Sequence, residues 1–476
     1  MNEFDEFDPL ATYDPFQTAE TAIADGSAKE VRVIPPASDP GGVANAYLSE
    51  QKNPIRRWRD SWYSWNGSYW CVIPDNELKS AFNAWLASAV YMKDGIAIPW
   101  NPTRRKREEV LDTLAIHPQV MLSDSISEET RGIPFRNGVL SIDGVLRPHD
   151  NSPMRTWCVD ADYAPNARCP TWEQFMVDAL DSDQIELAQE WAGYVLSGDV
   201  RAHKVMLAHG ARRAGKSTYA AILAALLGDC TAATTPDDML SPFGLEPISS
   251  ARLVTMGDVR WSDRATRRML DRVRAISGGD AQTVNRKFRT ALQRVSLPCR
   301  FMFTSNDLPA FGDDSGATLS RFLLLGFVHD HEGREDYGLL EKLRGELPGI
   351  ARWSLDGYRR LVDRGLHFVE PVRSRADRDD LRLDVEPVRV FCTESVVYDE
   401  TEWVSLVDLY HAFVAWRGFE EDSAGKSWFG RKVKAALPAA RGTRQYVTRP
   451  RDPYDMFQGT KRVQERGFSG IRLAKG

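Results

Sequence analysis

Apolar and polar positions alternate along the chain in blocks that predict its elements. Val205–Gly210 opens as an apolar run too short for a helix and stops at a glycine-bounded loop. Apolar residues then recur through 219–227 and end at Gly228, which predicts a helix with a glycine stop. Three further short apolar runs, 251–257, 300–305 and 322–327, read as buried strands. Strands alternating with helical stretches indicate an α/β core. Upstream, strand-like alternation in 55–73 around Asn66-Gly67 predicts a hairpin. Residues 77–91 form an amphipathic pattern, a basic helical stretch lies near 104–107, and 132–144 reads as paired strands. Residues 170–200 read as an acidic helix and then an apolar one ending near Gly198. Downstream, 349–368 reads as a closing helix, and 404–416 and 426–437 as two more helices before a strand and wing that end near Leu473.

The stretches without periodicity divide the chain. Residues 1–50 hold Pro35-Pro36 and Pro40-Gly41-Gly42 and predict an acidic, largely disordered arm. Residues 51–165 form a tryptophan-rich α+β domain, 166–370 the α/β core, 371–386 a charged linker and 387–476 a small terminal domain. Composition adds little to this picture, whereas charge distribution adds more. The net charge of −6 conceals eight acids against Lys29 alone in residues 1–30, a local charge of −7, so the rest of the chain is near +1. Between Asp258 and Arg300 there are eleven basic residues and four acids, and from Lys426 to Gly476 thirteen and three. Such basic segments suit phosphate-rich partners. The six cysteines are scattered without a C-x-x-C pair, so neither a disulfide framework nor a zinc site is expected. No apolar run is long enough to span a bilayer, and the acidic start is unlike a targeting peptide. A cytoplasmic location without membrane partners follows as an expectation. In the arm, Phe4, Phe7, Tyr13 and Phe16 alternate with acids and read either as a solvating tail or as a docking peptide. Trp58, Trp62, Tyr63, Trp65 and Trp70 read as core rings rather than a base-stacking platform, because such rings bury large areas well. Asp160 and Asp162 share the D-x-D spacing of two-metal sites, but a third carboxylate and a basic triphosphate site are not evident nearby.

The chemistry concentrates in the loop after the first core strand. Gly210-Ala211-Arg212-Arg213-Ala214-Gly215-Lys216-Ser217 fits G-x-x-x-x-G-K-[ST], the phosphate-binding P-loop, and Thr218 continues into the helix. Gly210 and Gly215 let successive backbone N–H groups face a phosphate. Lys216 reaches the β- and γ-phosphates, Ser217 offers a hydroxyl to Mg²⁺, and the helix N-terminus adds partial positive charge. ATP and Mg²⁺ are therefore the expected cofactors. Asp258 ends the second core strand, where a carboxylate can hold the Mg²⁺ water shell or polarise water. Asn306 ends the third, where a polar residue beside the loop can bind the γ-phosphate or orient the water. Arg321 precedes the fourth. In the basic terminal domain, Arg431, Lys432 and Lys434 on the 426–437 helix are candidate DNA contacts.

The ordered segments WYSWNGSYW, IPFRNGVLSIDG, DYAPNARCPTW, AGYVLSGD, the P-loop, RLVTMGD, AISGGDAQTVNRKF, FTSNDLP and SRFLLLGF resemble the superfamily 3 helicases of phage and plasmid primase–helicase type. The resemblance also extends to the pox-virus primase–helicase and runs from about Trp58 to the C-terminus. It implies an AAA+-like P-loop NTPase core, an α+β N-terminal domain and a C-terminal winged helix. It assigns Lys216, Asp258, Asn306 and Arg321 to catalysis, with Arg321 reaching a neighbouring subunit's nucleotide in a homo-hexameric ring. It places Asp280, Arg286 and Lys287 in an intermediate motif whose following hairpin contacts single-stranded DNA, and Arg286, Lys287 and Arg289 are the candidate contacts there. Departures include Arg274, where lysine is common, Asp258, where many relatives have Glu, and the pair Arg212-Arg213, which either contacts phosphate or points outward. The function so implied is ATP-driven unwinding of forked DNA in phage, plasmid or mobile-element replication inside a bacterial host. Primase activity, alone or with a separate primase or host replication protein, and ATP-switched origin loading without unwinding remain alternatives.

Overall fold

A computed structural model describes residues 32–474 apart from 125, 127–130, 142, 258, 260, 262–263, 307, 309–315, 328, 330–332, 334–335, 418–425 and 453–454. The acidic aromatic segment of the N-terminal arm and Asp258 therefore lie outside the described residues. The chain divides into two compact units, Met1–Cys158 and Val159–Gly476.

In the first unit, β1 (Arg32–Val33) leads to α1 (Pro40–Glu50). The expectation of a disordered arm through residue 50 does not hold for this segment. Asp39 caps α1 by accepting from the Gly42 N–H at 2.9 Å, Pro40 opens its first turn, and Val43, Ala44 and Tyr47 enter the core. The strands β2 (Ile55–Trp58), β3 (Ser61–Trp65) and β4 (Trp70–Ile73) form an antiparallel meander. Its second turn is built by Asn66, whose side chain accepts from the N–H groups of Ser68 and Tyr69 at 2.9 Å each. Trp58, Trp62, Tyr63, Trp65 and Trp70 are all buried, and Arg57 and Arg59 lie over the rings of Trp62 and Trp58. The rings are thus core. The helices α2 (Asp75–Ala87) and α3 (Arg104–Ala115) bring Phe82, Leu86, Val110 and Leu114 against Tyr47 and Trp85. Between them, β5 (Ala89–Lys93) and β6 (Ile96–Pro99) extend the sheet begun by β1. Helix α2 ends before residue 91 because the Ala89–Lys93 run pairs with β1 and β6. The expected paired strands appear as β7 (Ile133–Phe135) and β8 (Gly138–Leu140), joined by β9 (Leu146–Arg147).

The second unit opens with α4 (Pro170–Ala179) and α5 (Ser182–Leu196). Next come β10 (Val205–Gly210), α6 (Lys216–Leu227), β11 (Thr231–Ala233), α7 (Pro236–Leu240) and β12 (Leu253–Gly257). Helix α8 (Arg264–Ser277) leads into a two-stranded hairpin, β13 (Gln282–Arg286) and β14 (Arg289–Val295). Then come β15 (Arg300–Ser305), α9 (Gly316–Leu319) and β16 (Phe322–Phe327). Five of these strands form a parallel sheet in the order β11-β12-β15-β10-β16. Their near-continuous burial matches a sheet covered on both faces. The strand β10 lies inside, between β15 and the edge strand β16.

Helices α10 (Leu339–Gly345) and α11 (Leu347–Asp363) follow, with α11 packed along α5. The segment expected as a charged linker is instead helix α12 (Val372–Val385), docked on the sheet edge. The hydroxyl of Ser374 donates to the Leu324 carbonyl at 2.5 Å, and Arg378 donates to the Leu319 and Phe322 carbonyls at 2.7 Å each. The Gly326 N–H donates to Gln184 of α5 at 3.2 Å, and Gln184 in turn donates to Ser374 at 3.0 Å. Phe322, Leu324 and Gly326 share one parity, so the outward polar groups of β16 are met by side chains instead of a sixth strand. The terminal domain contains α13 (Pro387–Ser395), β17 (Val396–Ser405), α14 (Leu406–Arg417), α15 (Lys426–Ala436), β18 (Arg441–Asp452) and β19 (Asp455–Leu473). Its antiparallel sheet runs β17-β19-β18, and Phe391, Leu409, Phe413, Phe429, Val433 and Ile471 belong to its core.

Candidate nucleotide site and nucleic-acid surfaces

The loop between β10 and α6 is held open by backbone conformations that side chains disfavour. Gly210 has φ +133° and Gly215 φ +99°, and a Cβ on Gly210 would lie 2.0 Å from the Phe327 carbonyl. A Cβ on Gly215 would lie 2.9 Å from the Phe175 ring of α4. Arg213 also takes a left-handed conformation, φ +60°. Gly215 caps α6 without a side chain, so no capping oxygen competes for the helix's first N–H groups. That arrangement fits an anion. The helix is anchored from beneath by Tyr219, whose buried hydroxyl donates to the Ala188 carbonyl at 2.7 Å.

Lys216 is 7 % exposed and turns back along the loop. Its ammonium donates to the carbonyls of Gly210 (2.7 Å) and Ala211 (2.6 Å) and to Asn306 Oδ1 (3.3 Å). The fold thus brings together Lys216 and Asn306, ninety residues apart, because β10 and β15 are neighbours in register, His209 opposite Ser305. Ala214 is buried, while Ala211, Arg212, Arg213 and Ser217 are exposed and Thr218 is half-buried. Ser217, the expected hydroxyl donor to a metal, stands exposed on the first turn of α6. Its expected partner Asp258 follows the last residue of β12 and lies outside the described residues. Among the described residues there is no cluster of three or more His, Cys, Asp or Glu that could hold a metal by itself.

Arg321 is not at this end of the sheet. The register of β10 with β16 runs from Val205 opposite Phe322 to Gly210 opposite Phe327, so Arg321 sits at the strand entry and the loop at the strand exit. There Arg321 donates to the hydroxyl of Ser277, the last residue of α8, at 3.3 Å. Lys204 stands beside it and donates to the Ser320 carbonyl at 2.7 Å. Burial, and then Arg378 and Arg321 nearby, hold the Lys204 amine below its ordinary value.

The basic residues of the β13–β14 hairpin separate into two kinds. Arg286, expected to touch DNA, is 9 % exposed and donates through Nε and one Nη to the Thr290 carbonyl at 2.9 and 2.6 Å, so it fastens the turn instead. Lys287 is exposed, its N–H held by Glu246 at 3.1 Å, and its ammonium lies 5.4 Å from the Phe288 ring centroid. Phe288 was not singled out by sequence; it is 95 % exposed at φ +59° on the hairpin tip. The signal was a lone aromatic within a basic turn. Arg289 is half-buried. In the terminal domain, α15 splits the three expected contacts. Arg431 and Lys434 face a groove with Arg444 and Arg466 of the β18–β19 ribbon, whereas Lys432 faces a separate one beside Glu386 and Arg389 of the α13 region.

Residues 55–181 match the family model described as D5 N terminal like, and residues 208–321 match that described as a family of unknown function, DUF5906. The chain carries both segments in that order. No curated protein matches it. Among solved structures it resembles the A form apo structure of the NrS-1 C terminal region, with a TM-score of 0.53 at 12 % identity over 90 % of this chain and 98 % of that one. A second apo structure of that region, residues 305–718, gives 0.49 at 12 % identity over 91 % of this chain and 99 % of that one. The likeness is one of fold. Among the described residues no helix is long and apolar enough to cross a membrane.

Proposed function

We propose that this chain is an ATP-driven DNA motor of superfamily 3 type, a P-loop NTPase that separates forked DNA during replication of a phage, plasmid or mobile element. The observation that carries the reading is the position of β10. Its loop lysine meets Asn306 from the strand on one side, while the strand on the other side begins beside Arg321 at the far end of the sheet. The two matched segments and the fold likeness support a phage primase–helicase relationship. The order of helices and strands in 387–476 supports a winged helix.

In this reading the loop N–H groups and Lys216 hold the β- and γ-phosphates of ATP, and Ser217 with Asp258 holds Mg²⁺. The ion supplies charge neutralisation on the phosphates. Asn306 orients the attacking water, and it shares Lys216 with the loop carbonyls, so ligand binding and sensor position are coupled through one ammonium. Arg321 serves the nucleotide of the next subunit in a ring, expected to be a hexamer. Lys287, Phe288 and Arg289 form the strand-gripping tip, where an exposed ring stacks on bases and the cation meets phosphate. The work is done in the cytoplasm of the host.

Fork unwinding with 3′- and 5′-tailed substrates tests this. Wild type should displace one of the two, and Lys216→Ala and Arg321→Ala neither. A wild-type protein that hydrolyses ATP but opens neither fork refutes the motor reading and leaves an ATP-switched loading factor.

A further inference from the structure

The two faces of the β18–β19 ribbon carry opposite kinds of chemistry. Successive residues of a strand point to opposite faces, and the register pairs Arg444 with Arg466, Tyr446 with Gln464 and Thr448 with Arg462. One face therefore presents Arg444, Tyr446, Thr448, Arg462, Gln464 and Arg466, all exposed and with no acid among them. The other face carries Arg449, which is already engaged. It donates to Glu465 at 2.8 Å and to Asp408 at 2.8 Å, and it fastens the ribbon to the start of α14. The basic face continues without a break onto α15, because Arg431 and Lys434 line the same groove as Arg444 and Arg466, floored by Gly430, Gly442 and Gly467. Tyr446 stands 61 % exposed on that face with the Arg462 guanidinium 5.1 Å from its ring centroid.

We infer that this groove and ribbon face form a binding site for single-stranded DNA. Arg431, Lys434, Arg444 and Arg466 take successive phosphates, and Tyr446, backed by Arg462, stacks on a base. A row of cations beside an exposed ring is the pattern that holds unpaired strands without reading their sequence. A duplex keeps its base faces stacked inside and offers Tyr446 nothing to stack on. The site differs from a helix laid into a major groove, since α15 contributes only the side that faces the ribbon. It rests on the DNA-motor reading for the source of the strand, but the binding itself needs no nucleotide.

The test is fluorescence anisotropy of the full chain, without ATP, on a labelled oligothymidine and on a duplex of equal length. Arg444→Ala with Arg466→Ala should weaken oligothymidine binding about tenfold or more and flatten its log–log salt dependence by about 1.4, at about 0.7 per lost phosphate contact. Tyr446→Ala should weaken it about fivefold or more, while Tyr446→Phe keeps it. Lys461→Ala, on the opposite face, removes one positive charge and should leave affinity unchanged. A wild-type far-ultraviolet circular dichroism spectrum and urea midpoint show that each variant is folded. Unchanged oligothymidine affinity in the double variant overturns the proposal, as does a duplex preference that Tyr446→Ala does not alter. Failure of the motor reading appears elsewhere, as absent ATP hydrolysis or unwinding in a protein whose binding isotherm is intact.

Discussion

Mixing two inactive variants, Lys216→Ala and Arg321→Ala, asks whether one nucleotide is served by two subunits. The six register steps from Arg321 to Phe327, which lies opposite Gly210, at about 3.3 Å each, separate Arg321 from the loop by about 20 Å along the strands. Arg321 is also directed toward Ser277. Within one subunit its guanidinium does not reach the Gly210–Ser217 loop. Each variant alone should lose most ATPase, with Arg321→Ala down by roughly 10³-fold if it supplies the transition-state cation. In a ring with heterologous contacts, an interface works when the loop comes from an Arg321→Ala subunit and the arginine from a Lys216→Ala neighbour. With random assembly at equal amounts, about one interface in four meets that condition. Mixtures should then regain about a quarter of wild-type DNA-free ATPase if interfaces act independently. The assay is phosphate release from mixed, co-purified assemblies carrying two different tags. Wild-type ATPase in Arg321→Ala alone, or no recovery in assemblies shown to be mixed, refutes the shared-site geometry.

Other outcomes follow from single contacts. Gly210→Ala forces a Cβ to within 2.0 Å of the Phe327 carbonyl at φ +133°, and should cost at least about 2 kcal/mol of stability in chemical denaturation along with nucleotide binding. Phe288→Ala should leave DNA-free ATPase intact and abolish fork unwinding; equal loss of both would remove the tip from strand contact. Arg378→Ala strips the Leu319 and Phe322 carbonyls of their donor and should cost about 3 kcal/mol, read from the urea midpoint. The Arg449 guanidinium holds the Glu465 carboxyl below its ordinary value. At Asp408 burial acts upward, but hydrogen bonds from Arg449 and Ser405 prevail and hold it low as well. Depressed carboxylate values give stability that is present above the unfolded values and lost as pH falls through the folded ones. The terminal domain should therefore lose stability below about pH 4, and Arg449→Ala should flatten that dependence, as followed by circular dichroism.

The parts of the molecule legible in its sequence are those whose geometry is local. The Gly210–Ser217 motif is contiguous, its two glycines are required by φ, and the strands around it are mostly apolar. Asn306 and Arg321 could be placed at strand ends, but their opposite positions depend on a parallel register that no single stretch of chain contains. The α12 helix was illegible because the residues that fasten it, Ser374 and Arg378, are polar and act on strand carbonyls, so hydrophobic periodicity gives no sign of it. Arg286 misled for a related reason. In a run of Asn-Arg-Lys-Phe-Arg every cation looks solvated, and only the hairpin's turn shows which one bonds inward. Helix α1 was concealed by its small residues, although Asp39-Pro40 is a competent start signal.

The side chains along the outer rim of β16 bear on how this protein can be dissected. A fragment ended at residue 370, where the apolar pattern stops, would lack Ser374 and Arg378 and present a bare row of peptide groups on the outer edge of β16. Such a rim recruits strands from other copies. Aggregates or ladders formed by that fragment would report sheet-to-sheet adhesion and not ring closure. Any measurement of subunit number therefore belongs to a chain that extends through Val385.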